Sequence, residues 1–234
     1  MASSIACQHG TFVAGILTAR RGSSAPAICP DCTLLVRPIF PEKTTNSEDM
    51  PAATPLELAA AIREMVEAGA RIINLSAALV QPTATGVQRL QEALDFAASR
   101  GAITVAAAGN QRAVGSSAIT RHPWVIPVAG CSLQGQPLSE SNFGSSIGRN
   151  GLRAPAEQVT SLGSDGKPRQ FGGTSAAAPF VTGTIALLWS QFPSAPAARI
   201  KSALLQVGSA RRNTVVPPLL DAAAAYDAMA SARM

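Results

Sequence analysis

Apolar residues along this chain change spacing from segment to segment, and the changes mark out its elements. Leu58, Ile62, Met65 and Val66 recur every three to four residues, as on one face of a helix. Its start and stop signals are present: Thr54 can cap, Pro55 suits the first helical position, Glu57 can reach back in a capping box, and Gly69 ends the run. The spacing predicts a second amphipathic helix over 87–100, with Leu90, Leu94 and Ala97 on one face and Gly101 as its stop. Between and after these helices lie runs that are apolar almost throughout, 71–76, 102–108 and 124–129, and they read as buried strands. A shorter run, 33–37, reads as a strand ended by Pro38, which cannot donate to a ladder. The Pro, Thr, Asn and Ser of 41–53 read as a loop.

Near-continuous apolar strands separated by amphipathic helices predict an α/β fold. Its mostly parallel central sheet would be covered by helices on both faces, in three layers, with right-handed crossovers. In such sheets ligands gather at the carboxyl ends of the strands, which here means Ser76 and onward, and Gly109-Asn110.

The chain has 234 residues, 47% hydrophobic and 14% charged, enough apolar material for one substantial core and a single domain over 1–234. No apolar run is long enough to span a bilayer. The formal net charge of +5 is spread over scattered Arg and Lys, so it reads as a solvated surface and not as a nucleic-acid interface. Residues 1–8 have neither a basic start nor an apolar stretch, so no signal peptide is read. Either the protein stays inside the cell or its beginning lies upstream, and the compartment stays open. Cys29-Pro30-Asp31-Cys32 has no second ligand pair for zinc and precedes a strand instead of opening a helix. A local disulfide or two inert thiols fit it better than a metal or redox site.

Three segments carry chemistry: His9-Gly-Thr-Phe-Val-Ala-Gly15, Ala106-Ala-Ala-Gly-Asn110 and Gly172-Gly-Thr-Ser-Ala-Ala-Ala-Pro179. Ser175 sits where a Gly-rich turn enters a helix, which exposes its hydroxyl near the positive end of the helix dipole. A serine hydroxyl needs a base, and His9 is the natural one; it begins a helical segment whose Phe12, Val13, Ile16 and Leu17 can pack inward. Asn110 can aim its amide into the same cleft and stabilise a tetrahedral oxyanion. Taken singly, a Ser in such a turn is more often a cap, an Asn after Gly a turn residue, and a His near a terminus structural. Occurring together and in order, they point to acyl transfer. His122, in a loop before Pro123, gets no role.

In that order the three segments resemble the His, oxyanion-hole and nucleophile motifs of the subtilisin-like serine peptidases, the subtilases. The likeness runs from His9 to Leu219-Leu-Asp-Ala-Ala-Ala-Ala-Tyr226. It implies a serine endopeptidase acting on extended peptide or protein substrates, with no nucleic-acid partner and no cofactor. A structural calcium ion has no Asp- or Asn-rich loop to mark it. The resemblance also implies substrate-binding positions at Ser76, Ala77, Ala78, Ala107 and Gly109. Ile73-Asn74-Leu75-Ser76 matches the strand that pairs with substrate, but Ser76-Ala77-Ala78-Leu79 stands where the family usually continues Ser-Leu-Gly. The added methyl of Ala78 implies a narrow first pocket that favours small or slim P1 residues. Ala176 stands where many relatives carry Met, so oxidants should trouble this site less. The stretch from Cys29 to Phe40, with Glu67-Ala-Gly-Ala-Arg-Ile-Ile-Asn74, is similar to the subtilase domains of cyanobactin-maturation proteases.

A triad of this kind needs an Asp before the His, on a central strand, and none of the eight residues before His9 is acidic. Asp31 follows the His segment and is not promoted. The expectation is therefore a chain clipped ahead of the Asp-bearing strand, with two neighbouring strands left unpaired. The alternative function is a crippled remnant or peptide-binding pseudoenzyme. A nucleotide module is disfavoured because neither G-x-G-x-x-G nor a P-loop is present. An α/β-hydrolase is disfavoured because Gly173-Thr-Ser-Ala-Ala177 breaks G-x-S-x-G.

Overall fold

The computed structural model describes residues 4–25, 27–40, 53–77, 84–206 and 214–231. In chain order its elements are α1 (Ile5–Thr18), α2 (Pro55–Glu67), β1 (Ile72–Leu75), α3 (Ala84–Ser99), β2 (Ile103–Ala107), α4 (Ala118–Arg121) and β3 (Ile126–Cys131). There follow α5 (Ser145–Asn150), β4 (Leu152–Pro155), β5 (Val159–Leu162), β6 (Pro168–Phe171), α6 (Thr174–Gln191), α7 (Ala197–Gln206) and α8 (Ala222–Ser231).

Local chemistry sets these boundaries. The Thr54–Glu57 capping box forms in both directions, with Thr54 N donating to Glu57 Oε2 at 2.7 Å and Glu57 N to Thr54 Oγ1 at 3.2 Å. Gly69 turns the chain out of α2 at φ 90°, a conformation that costs a side-chain-bearing residue energy. One helix start differs from the sequence reading. The helical segment begins at Ile5 and not at His9, because the Ser4 hydroxyl accepts from Cys7 N and satisfies a first-turn donor there.

β1, β2, β3 and β4 form one parallel sheet in that order, with Leu75 opposite Ala106 and Ala107 opposite Val128. Side chains of β2 alternate between the two faces. Ala106 joins Leu58, Ile62, Leu90 and Leu94 of α2 and α3. Ile103 and Val105 join Val181, Ile185 and Leu188 of α6, with Ile200, Leu204 and Met229 behind them. Helices thus cover both faces, and α6 touches every strand of the sheet. The antiparallel pair β5–β6 lies apart from the sheet and places Val159 against Phe12 and Ile16 of α1.

The predicted strand at 33–37 enters no ladder. Its composition suits a strand, but a strand also needs a neighbour, and no described strand lies beside it; Leu34, Leu35 and Val36 are left exposed. β1 likewise has β2 on one side and, among the described residues, no ladder partner on the other. The predicted loop at 41–53 lies almost wholly outside the described residues. Among those described, no helix is long and apolar enough to cross a membrane.

Candidate active site

The site is assembled where β2 leaves the sheet and α6 begins. Gly109 adopts φ 103°, which turns the chain sharply after the strand. Its N–H donates to Thr174 Oγ1 at 3.1 Å, and its carbonyl accepts from Asn142 N at 2.8 Å. Asn110 follows, and its Oδ1 accepts from Thr174 N at 2.9 Å. That N–H is one of the unpaired donors in the first turn of α6. The N-cap residue, Gly173, has no side chain to serve it, so Asn110 caps the helix from across the cleft. With its oxygen committed, Asn110 has only Nδ2 to offer as a donor, and this atom stands 2.9 Å from where a Cβ on Gly173 would lie. Gly173 therefore has two reasons to be glycine: φ 87° and the close amide.

Ser175 is the second residue of α6 and is half-buried. The buried Ala176, Ala177 and Ala178 let the helix sit close against the structure beneath it. His9 lies in the second turn of α1, which packs on α6. Phe12, one turn further on, shares a cluster with Ala176 and meets the Phe171 ring edge-on at 4.9 Å. Helix packing therefore brings the His9 helix beside the nucleophile turn. Burial lowers the His9 pKa from its ordinary 6.5. No carboxylate among the described residues is paired with His9, and Asp31 instead bonds Arg21 at 3.1 Å on the surface.

A cavity of about 180 Å³ opens beside Gly109, lined by Ala77, Ala107, Ala108, Gln111 and Asn142 among others. Of the expected substrate-binding residues, Ala77 and Ala107 line it. Gly109 borders it through Asn142, and Ala78 lies outside the described residues. Ser76 turns its hydroxyl to the Ser175 carbonyl at 2.9 Å. Asn142 escaped the sequence reading. Its Oδ1 accepts from Gln111 N at 2.9 Å and Ala113 N at 3.0 Å, while Nδ2 donates to Ala108 O at 3.1 Å and Gln111 Oε1 at 2.6 Å. It therefore holds the loop after β2 in shape. Extending the strand-end rule to the loop after β3 would have reached it. A wider groove of about 650 Å³ runs along Gln8 and β6.

The remaining candidates do not join the site. Cys29 is buried and Cys32 exposed, and both are free thiols. Burial, then the hydrogen bond with Cys32, pushes the Cys29 thiol up to about 12, which suits an inert thiol. Among the described residues no group of three or more His, Cys, Asp or Glu could hold a metal ion. His122 is buried, with Nε2 3.1 Å from Asp95 Oδ1 and Nδ1 accepting from Trp124 N at 3.3 Å.

A model of the subtilase family matches residues 5–218. Mycosin-3 of Mycobacterium tuberculosis is 29% identical over 82% of this chain and 52% of its own length. The chain thus spans about half the length of the curated relatives it matches. The prenylagaramide maturation protease PagA superposes with a TM-score of 0.83 at 27% identity, covering 95% of this chain and 82% of that one. The self-cleaved protease domain of PatA does so with a TM-score of 0.80 at 31% identity, covering 95% and 83%.

Proposed function

The chain belongs to the subtilase family of serine peptidases, and on that premise we propose that it hydrolyses peptide bonds with Ser175 as nucleophile, His9 as base and Asn110 as oxyanion donor. The observation that carries this reading is the hydrogen bond from Thr174 N to Asn110 Oδ1. It commits the amide oxygen and leaves Nδ2 as a donor beside the nucleophile turn.

Ser175 Oγ would attack the scissile carbonyl carbon while His9 takes the hydroxyl proton. The carbonyl oxygen becomes an oxyanion, met by Asn110 Nδ2 and the positive end of α6. His9 then returns its proton to the leaving amine, and water releases the acyl group by the reverse roles. The substrate would lie extended along Ser76 and Ala77 past the end of β1, with its P1 side chain in the alanine-lined cavity, which supports a preference for slim residues. PagA and PatA are maturation proteases, and peptides are the substrate class proposed for this chain.

One observation favours a second reading, a peptide-binding protein without turnover: His9 has no carboxylate partner among the described residues. A fluorophosphonate probe separates the two. A peptidase site labels at Ser175, loses all label in Ser175→Ala, and labels roughly 10²–10³-fold more slowly in Asn110→Ala, by analogy with the loss recorded for a subtilisin oxyanion donor. An unlabelled wild-type chain that still binds extended peptides would establish the second reading.

A further inference from the structure

Within α6, the carbonyl of Ser175 is due a hydrogen bond from the N–H of residue 179. Residue 179 is proline, which has no N–H, and its ring also crowds the carbonyl four residues back. The nucleophile's own carbonyl is thus deprived of its helical partner by the fourth residue after it. An unpaired acceptor at a helix start costs stability and lets the turn shift.

The missing bond is supplied from β1. Ser76 Oγ–H donates to Ser175 O at 2.9 Å. Ser76 Oγ in turn accepts from Asn74 Nδ2 at 2.8 Å. Asn74 Oδ1 accepts from the hydroxyl of Thr182 at 2.8 Å. Thr182 is buried and lies about two turns beyond Ser175 on the same helix. The chain of bonds therefore leaves α6 at Thr182, passes through Asn74 and Ser76, and returns to α6 at Ser175. The Thr182 hydroxyl also lies 3.2 Å from Ala178 O of its own helix, but the nearer acceptor is Asn74 Oδ1, and the bonds through Asn74 and Ser76 persist only while the end of β1 and the start of α6 keep one relative position.

We infer that Thr182, Asn74 and Ser76 are positioning residues that replace the hydrogen bond lost at Pro179 and so fix the Ser175 peptide, and with it the direction of Oγ. Because Ser76 and Ala77 follow β1 into the cleft, the same bonds keep the substrate-facing backbone in register with the nucleophile. The kinetic part rests on the peptidase reading above; the structural part does not.

Two measurements on the full chain test it. The first is a melting cycle. Ser76→Ala lowers Tm by about 3–6 °C because a half-buried carbonyl loses its donor. In a Pro179→Ala background the restored N–H serves that carbonyl, and the same substitution costs less than half as much. Equal losses in both backgrounds overturn the inference. The second measurement is fluorophosphonate kinetics. Thr182→Val, far from the probe, lowers the limiting rate about tenfold with little change in half-saturating concentration, and Thr182→Ser restores it. An unchanged limiting rate in Thr182→Val overturns the positioning role. If the wild-type chain takes no label, the peptidase reading fails, and the melting cycle still decides whether Ser76 stands in for the lost bond.

Discussion

At the scale of single residues, His9 is governed by its surroundings. Burial alone acts on its titration and favours the neutral imidazole, so its folded pKa lies below the ordinary 6.5. The unfolded chain therefore takes up its proton first as pH falls. The stability contributed by neutral His9 is whole above 6.5 and is lost as pH drops from there through the folded pKa. The neutral ring is also the form that can accept the Ser175 proton. The pH profile of fluorophosphonate labelling is thus expected to have its acid limb below 6.5, and His9→Gln to remove the limb along with the rate. A limb at or above 6.5 would mean that a negative group faces the ring. His9, Asn110 and Ser175 could be proposed from the sequence because each sits in a short motif whose glycines and small residues announce a turn. Asn142 and Ser76 were not legible in the roles they play. Asn142 acts 31 residues from Gln111, and Ser76 acts 99 residues from Ser175, so only the folded backbone brings the partners together.

The elements divide in the same way. α2, with its capping box and Gly stop, was read nearly to the residue, and β2 and α3 lie close to their predicted ranges, because periodicity and capping are local. β6 is exposed along its whole length and has no alternation to read. α7 and α8 are short, and α7 hides a lysine on its buried face. Lys201 donates from Nζ to Pro123 O at 2.6 Å, lies over the Trp124 ring at 4.9 Å, and is brought down to about 8 by burial. Below pH 8 it is charged in the folded and unfolded chain alike, and the full cost of burying that charge is present. Between about 8 and 10.5 the folded chain sheds the proton while the unfolded chain keeps it, so stability rises with pH by an amount on the order of 3 kcal/mol at most. Denaturant unfolding at stepped pH should show this rise in the wild type and a flatter curve in Lys201→Met. Parallel curves would mean that Lys201 titrates as a solvated lysine.

At the scale of the whole molecule, β1 pairs with β2 on one side, and among the described residues no strand pairs with its other side. Sequence composition identified 33–37 as strand-like but could not supply the neighbour that turns such a run into a strand. Leu34, Leu35 and Val36 therefore lie 38%, 46% and 68% exposed. An unpaired strand edge and exposed apolar side chains each favour association with another chain. The chain is accordingly expected to self-associate. Light scattering behind size-exclusion chromatography should give a mass that grows with concentration, and Val36→Lys should shift it toward the monomer by placing a charge on the exposed segment. Val36 is exposed and is not among the residues that bond or line the candidate site, so the labelling rate per chain should not change with it. A concentration-independent monomer in the wild type would mean that the open edge is protected by means other than pairing. If Val36→Lys restored the monomer and slowed labelling as well, association itself would be supporting the site: a strand lent by a second chain would stiffen β1, and Ser76 with it, against the first turn of α6.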